Sequence, residues 1–131
     1  MNRRLGYLWL LALVVVAACA TPNARPTVAQ FEQAHFGPPP PPVAEIEPAI
    51  RQKMEMELID PFSAMYRFDE VPPKKVWWSN NPTEIHYGWR ICGFVNAKNR
   101  MGGYVGWQRF FSFWSEGQVV AAGMSNTHCD A

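Results

Sequence analysis

Apolar side chains recur in two rhythms along this chain, and the change from one to the other outlines the fold. In VAEIEPAIRQKMEMELIDP, residues 43–61, Ile46, Ile50, Met54 and Leu58 stand four apart, with Glu, Arg and Lys at other positions. That spacing predicts one apolar stripe on an amphipathic helix. Glu45 and Glu47 fall in its first turn, and Asp60-Pro61 is the expected stop. Pro48 fits only near a helix start, so the expected first residue is about Glu47.

After the helix the period becomes two. Ala64, Tyr66 and Phe68 alternate with Met65, Arg67 and Asp69, predicting a first strand, and Val76-Trp77-Trp78 a short second one. SNNPTE, residues 79–84, is turn chemistry. The cleanest alternation follows: Ile85, Tyr87, Trp89, Ile91, Gly93 and Val95 share one face, and His86, Gly88, Arg90, Cys92, Phe94 and Asn96 the other. An antiparallel strand covered on one side reads this way. Tyr104 to Trp114 and Gln118 to Met124 complete the set, joined by a tight turn at Ser115-Glu116-Gly117. The expected fold is α+β: one N-terminal helix on a four- to five-stranded antiparallel sheet over residues 44–131.

The first 43 residues follow neither rhythm. Arg3 and Arg4 precede an apolar run, Leu8 to Val16, that is too short to span a bilayer stably. Val16-Ala17-Ala18-Cys19 then resembles a bacterial lipobox, with small residues for the peptidase and a thiol to receive lipid. Residues 1–18 therefore read as a lipoprotein signal peptide and Cys19 as the lipidation site; an ordinary secretory signal with a chance cysteine is the alternative. Ala20, rather than Asp, follows Cys19, which resembles the outer-membrane destination of diderm lipoproteins, facing the periplasm. Residues 19–43 hold seven prolines, five of them in the run Pro38–Pro42. That composition predicts a disordered tether with a semi-rigid polyproline II end, reaching roughly 75–80 Å when extended. A ligand for a proline-reading groove is the other reading of the run.

Removing residues 1–18 takes Arg3 and Arg4 from the twelve basic residues, leaving ten against eleven acids. No basic stripe results, so a nucleic-acid partner has no electrostatic footprint. With Cys19 assigned to lipid, Cys92 and Cys129 remain, and in an oxidising compartment a leftover pair reads as a disulfide. Two free thiols or a metal site are the alternatives. His128 beside Cys129 invites the latter, yet two cysteines and one histidine at this spacing match no zinc pattern. No residue pattern calls for a cofactor.

ICGFVNAKNRMGGYVGW, residues 91–107, is the most distinctive stretch. Asn99, Gly102 and Gly103 are residue types that accept positive φ, so Gly102 and Gly103 read as a structural turn and Gly106 as a bulge or a seat for an aromatic ring. Asn96, Lys98, Asn99, Arg100 and Tyr104 form a candidate contact hairpin. The stretch feeds a strand and not a helix, which excludes a phosphate cradle. The run C-G-F-V-N-A-K-N followed by G-G-Y-x-G-aromatic, with the upstream D-P-x-S-A, resembles a family of small uncharacterised proteobacterial exported proteins and lipoproteins. The resemblance spans residues 50–110 and is carried by Cys92, Gly93, Val95, Asn96, Lys98, Asn99, Gly102, Gly103 and Tyr104; Phe94 stands where that pattern implies a more polar residue. It implies an exported domain and no particular reaction.

A hydrolytic triad needs a histidine, an orienting acid and a nucleophile. His35 lies in the tether, His128 beside the terminal cysteine and His86 alone on a strand, while Glu84 and Glu116 occupy separate turns. The reading is thus a non-enzymatic binding or structural protein of the cell envelope, anchored by lipid, with an envelope protein or peptidoglycan as partner. A cell-wall-active enzyme, or an inhibitor of an envelope enzyme, using aromatics to stack on sugar rings, is the alternative.

Overall fold

The computed structural model describes residues 25–81 and 84–130; residues 1–18, expected to be a signal peptide, Cys19 and part of the 79–84 turn lie outside the described residues. A short helix, α1 (Val28–Glu32), precedes the main helix α2 (Val43–Met54). Five strands follow: β1 (Asp60–Phe68), β2 (Lys74–Asn81), β3 (Glu84–Lys98), β4 (Gln108–Ser115) and β5 (Gln118–Met124). All pairings are antiparallel and form one sheet. The α+β class and the helix-on-sheet arrangement are as the periodicity predicts.

β3 is long enough to serve two partners along one edge. Its second half, from Gly93 to Lys98, pairs with β1, and its first half, from Glu84 to Arg90, pairs with β2. β4 lies along its other edge, and β5 closes that side. The helix covers one face. Ile46, Ile50 and Met54, four apart, are buried against Ile91, Val95, Phe110, Trp114 and Val119. Ile50 and Met54 have no exposed surface, so each contributes about 2–3 kcal/mol by burial. Arg51 ties the helix to β1: it pairs with Glu47 at 2.6 Å, donates to the Ala64 carbonyl at 3.1 Å and lies 4.3 Å over the Tyr66 ring.

Two glycines admit close neighbours, a core ring at Gly93 and backbone at Gly88. A Cβ at Gly93 would stand 2.7 Å from the Phe110 ring and 2.4 Å from the Arg67 carbonyl oxygen. Phe110 therefore lies across Gly93, with Tyr66 and Phe68 edge-on to it at 5.5 Å each. At Gly88 the Trp114 carbonyl oxygen would be 2.3 Å from a Cβ. The seat for an aromatic ring is thus at Gly93 and not at Gly106.

Several boundaries differ from expectation. The helix begins at Val43, four residues earlier than Glu47, with Pro48 inside it. Pro48 and Ala44, whose carbonyl its missing N–H would have met, are both exposed, so water can satisfy that oxygen. The helix ends at Met54, so Leu58, the last residue of the expected stripe, packs against the core from beyond it, and Asp60-Pro61 opens β1 instead of stopping α2. Asp60 there accepts a hydrogen bond from the Ser63 N–H at 3.3 Å, at the start of a register shift against β3.

The largest difference lies upstream. Residues 27–42, expected to be tether, are packed on the domain. Thr27 caps α1 through a reciprocal pair of hydrogen bonds with Gln30. Phe36 is only 8 % exposed, held edge-on by Phe31 and Tyr87. The indole N–H of Trp89 donates to the Gly37 carbonyl and that of Trp114 to the Pro38 carbonyl, each at 3.3 Å. A proline run offers carbonyls and no donors, so indoles are suited to hold it. This segment is a strap over the helix-covered face, laid across the part that α2 leaves uncovered.

Candidate functional site

The β3–β4 connection, the distinctive stretch of the sequence, is built around two asparagines. Asn99 Oδ1 accepts from the N–H groups of Met101 (2.9 Å) and Gly103 (3.1 Å), while its own N–H donates to the Gly103 carbonyl at 2.8 Å. Asn96, at 9 % exposure, accepts from the Gly106 N–H at 3.0 Å. The two side chains thus satisfy the turn backbone from within. Gly102 and Gly106 hold positive φ, 80° and 97°. Gly103 does not, and a Cβ placed there would meet only the Asn99 side chain, at 3.9 Å or more. The turn requirement expected at both glycines therefore holds at Gly102 alone, with Gly106 as the second left-handed position. The positive φ at Gly106 also delays β4 until Gln108, leaving Tyr104 with a single isolated bridge to Lys98.

What the connection presents is apolar. Met101 is 94 % exposed, with Tyr104, Val105 and Trp107 each between two-fifths and one-half exposed. The candidate contact residues divide accordingly. Asn96 and Asn99 hold the turn, as described above. Lys98 lies 5.5 Å over the Tyr104 ring, and the Tyr104 hydroxyl donates to the Ser63 carbonyl at 3.3 Å. Arg100 is exposed at the tip.

Next to this connection, on the sheet face away from α2, cations lie on rings. Arg67 sits 5.0 Å over Trp107 and Arg109 4.5 Å over Phe94. Arg109 also pairs with Asp69 at 2.7 Å, both largely buried, and approaches Asp130 at 3.8 Å. The hydrogen bond to Asp69 raises the Arg109 pKa above its ordinary value. Arg90 is shifted the other way, by burial and then by the charge of Arg109. Phe94, Trp107, Gln108, Arg109, Asn126 and Asp130 line a cleft of about 550 Å³. Sequence reading singled out Phe94 and overlooked Trp107, Arg67 and Arg109; the two arginines stand directly opposite Phe94 on neighbouring strands, a placement that strand register decides.

Cys92 and Cys129 are bridged, with Cα atoms 5.9 Å apart. The bond draws the C-terminal tail over this face, where His128 stacks on Phe111 at 4.6 Å and its carbonyl accepts from Arg90. The histidines are dispersed. His35 is exposed in the strap, and His86 is 3.6 Å from Glu84 at the surface. His128 Nδ1 is 2.7 Å from Ser125 Oγ, but that hydroxyl also meets the His128 N–H at 3.3 Å and Thr127 Oγ1 at 3.2 Å within one exposed turn. Among the described residues no three His, Cys, Asp or Glu side chains are grouped to hold a metal ion, and no helix is long and apolar enough to cross a membrane. Comparison with family models, with curated proteins and with solved structures finds no match to this chain.

Proposed function

We propose that this chain is an exported lipoprotein, held by lipid on Cys19 to the periplasmic side of the outer membrane, whose domain binds another envelope component without catalysing a reaction. The observation that carries this reading is Val16-Ala17-Ala18-Cys19 placed directly after a short apolar run. The Cys92–Cys129 bridge agrees with it, since disulfides persist in oxidising compartments. The contact surface we assign is the open side of the β3–β4 connection: Arg100 at its tip, Tyr104, Val105 and Trp107, with the adjoining Phe94. Exposed aromatics beside arginines are the composition of a protein-binding patch.

Two experiments test the reading separately. Cys19→Ala should leave unprocessed precursor and abolish partition into detergent; normal maturation and membrane retention of that variant would overturn the lipid anchor. Crosslinked capture from intact envelopes should recover a partner that Trp107→Ala and Arg100→Ala weaken, with thermal stability unchanged for Arg100→Ala. Retention by purified sacculi, with no protein crosslink, would move the assignment from a protein partner to peptidoglycan.

A further inference from the structure

The docking of the strap changes how far from its anchor the domain can stand. Were residues 20–43 all tether, the domain could ride roughly 75–80 Å from the bilayer. The chain is instead already against the domain at Thr27, and Arg25 lines a groove of about 730 Å³ with Val28, Lys74, Lys75 and Trp77. Five residues separate Cys19 from Arg25, and the six Cα-to-Cα steps between them reach no more than roughly 20–22 Å in any conformation. A lipid on Cys19 would therefore keep this rim within roughly 20 Å of the membrane surface.

The rim has the chemistry for that position. Arg25 and Lys74 are exposed, and neither joins an ion pair among the described residues. Lys75 is engaged within the fold, 5.1 Å over Phe36 and 5.6 Å over Trp89, and adds its charge from there. Val28 is 75 % and Trp77 38 % exposed beside them. Among the described residues no acidic side chain lines this groove; Glu45, Glu47, Glu55 and Glu57 lie on or just after α2, and Glu32 closes α1. The groove rim nearest the anchor is thus cationic and aromatic.

We propose that this rim, Arg25, Val28, Lys74 and Trp77, lies on the anionic phospholipid headgroups of the leaflet that holds Cys19. The proposal rests on lipid anchorage at Cys19. Lysine and arginine near a bilayer are drawn to anionic headgroups, and an indole settles at the headgroup level. The contact fixes the orientation of the domain, so that the β3–β4 connection, at the other end of β3 from the β2 turn, points away from the membrane.

The test uses the purified lipidated protein in phosphatidylcholine–phosphatidylglycerol vesicles, with or without bromine on the acyl chains. Flotation reports the anchor, and quenching of tryptophan emission by brominated lipid reports the contact. Wild type should float and be quenched; Trp77→Phe should float and lose at least half of that quenching. The pair Arg25→Glu with Lys74→Glu, both at exposed positions, should float and also be quenched at least twofold less. Flotation with wild-type emission unchanged by bromine, or quenching indifferent to both sets of substitutions, would overturn the membrane contact and leave the anchor standing. Protein that does not float would overturn the anchor and the contact together.

Discussion

The two faces of this sheet are closed by different means, although the same strand, β3, serves both. On one face its odd-numbered residues, Ile91 and Val95, meet Phe110, Trp114 and the apolar stripe of α2, and the strap seals what the helix leaves. On the other face Arg90 and Cys92 are held by a C-terminal tail tied down through one covalent bond, and Phe94 stays 39 % exposed. There Trp107 and Phe94 lie under guanidinium groups and Phe111 under His128, while Phe113 is buried against Trp78. Hydrophobic burial scales with the area removed from water, so the first face should carry the stability. Cation-on-ring contacts at partly exposed sites contribute less and leave apolar surface within reach of a partner. The main source of stability and the proposed contact surface thus lie on opposite sides of one strand.

The sharpest way to break that division is to truncate one ring on each face. Phe110, with no exposed surface, should cost about 3–5 kcal/mol when changed to Ala. Phe94→Ala, at a ring 39 % exposed, should cost about 1 kcal/mol or less. Urea unfolding of both variants with unchanged m-values gives the comparison. Equal losses would mean that the open face is as much core as the helical one.

The bridge is the next largest effect and belongs to the open face. Cys92 and Cys129 are 37 residues apart, and the chain-entropy model puts closure of such a loop at about 4 kcal/mol as an upper figure. Paired Cys92→Ser and Cys129→Ser replacement should therefore lower the unfolding free energy by about 2–4 kcal/mol and free the tail over Phe111. Recovery of two alkylatable thiols from oxidised wild-type protein would contradict the bridge itself.

The strap gives a third measure, and it bears on the first face. Phe36→Ala should cost about 2 kcal/mol, less than Phe110→Ala, because the strap can leave without opening the sheet. Hydrogen exchange should then rise in residues 27–42 and stay slow in β3 and β4. Exchange that rises equally throughout would show that strap and sheet unfold as one unit.

These elements differ in how plainly they stand in the sequence. The helix stripe and the alternation in β3 are local patterns, and local patterns survive as observed: Ile46, Ile50 and Met54 are buried together, and β5 spans Gln118–Met124 as its residues predict. The Cys92–Cys129 bond was legible because few partners were available. The strap was not legible, because a proline run carries no periodicity and its hold comes from Trp89 and Trp114, 52 and 76 residues away from the carbonyls they bind. The same limit applies to Arg67 on Trp107 and Arg109 on Phe94, since strand register decides which cation covers which ring. At the β3–β4 connection residue types identified a turn, but not which glycine carries the left-handed conformation.

That last distinction supplies the smallest predicted effect. Gly102 sits at φ +80° with nothing within 4 Å of an added Cβ, so only backbone strain opposes a side chain there. Gly102→Ala should cost about 1 kcal/mol, the usual penalty for placing a Cβ in the left-handed region. Gly103 has neither positive φ nor a close neighbour. Gly103→Ala should change stability by less than about 0.5 kcal/mol, or raise it slightly by narrowing the unfolded ensemble. Both substitutions leave the exposed ring of Trp107 in place, so neither should weaken partner capture unless the turn itself moves. Thermal melts of the two variants side by side check the assignment. A larger loss at Gly103 than at Gly102 would mean that the left-handed residue is Gly103, and that the asparagine-built turn is organised differently around Asn99.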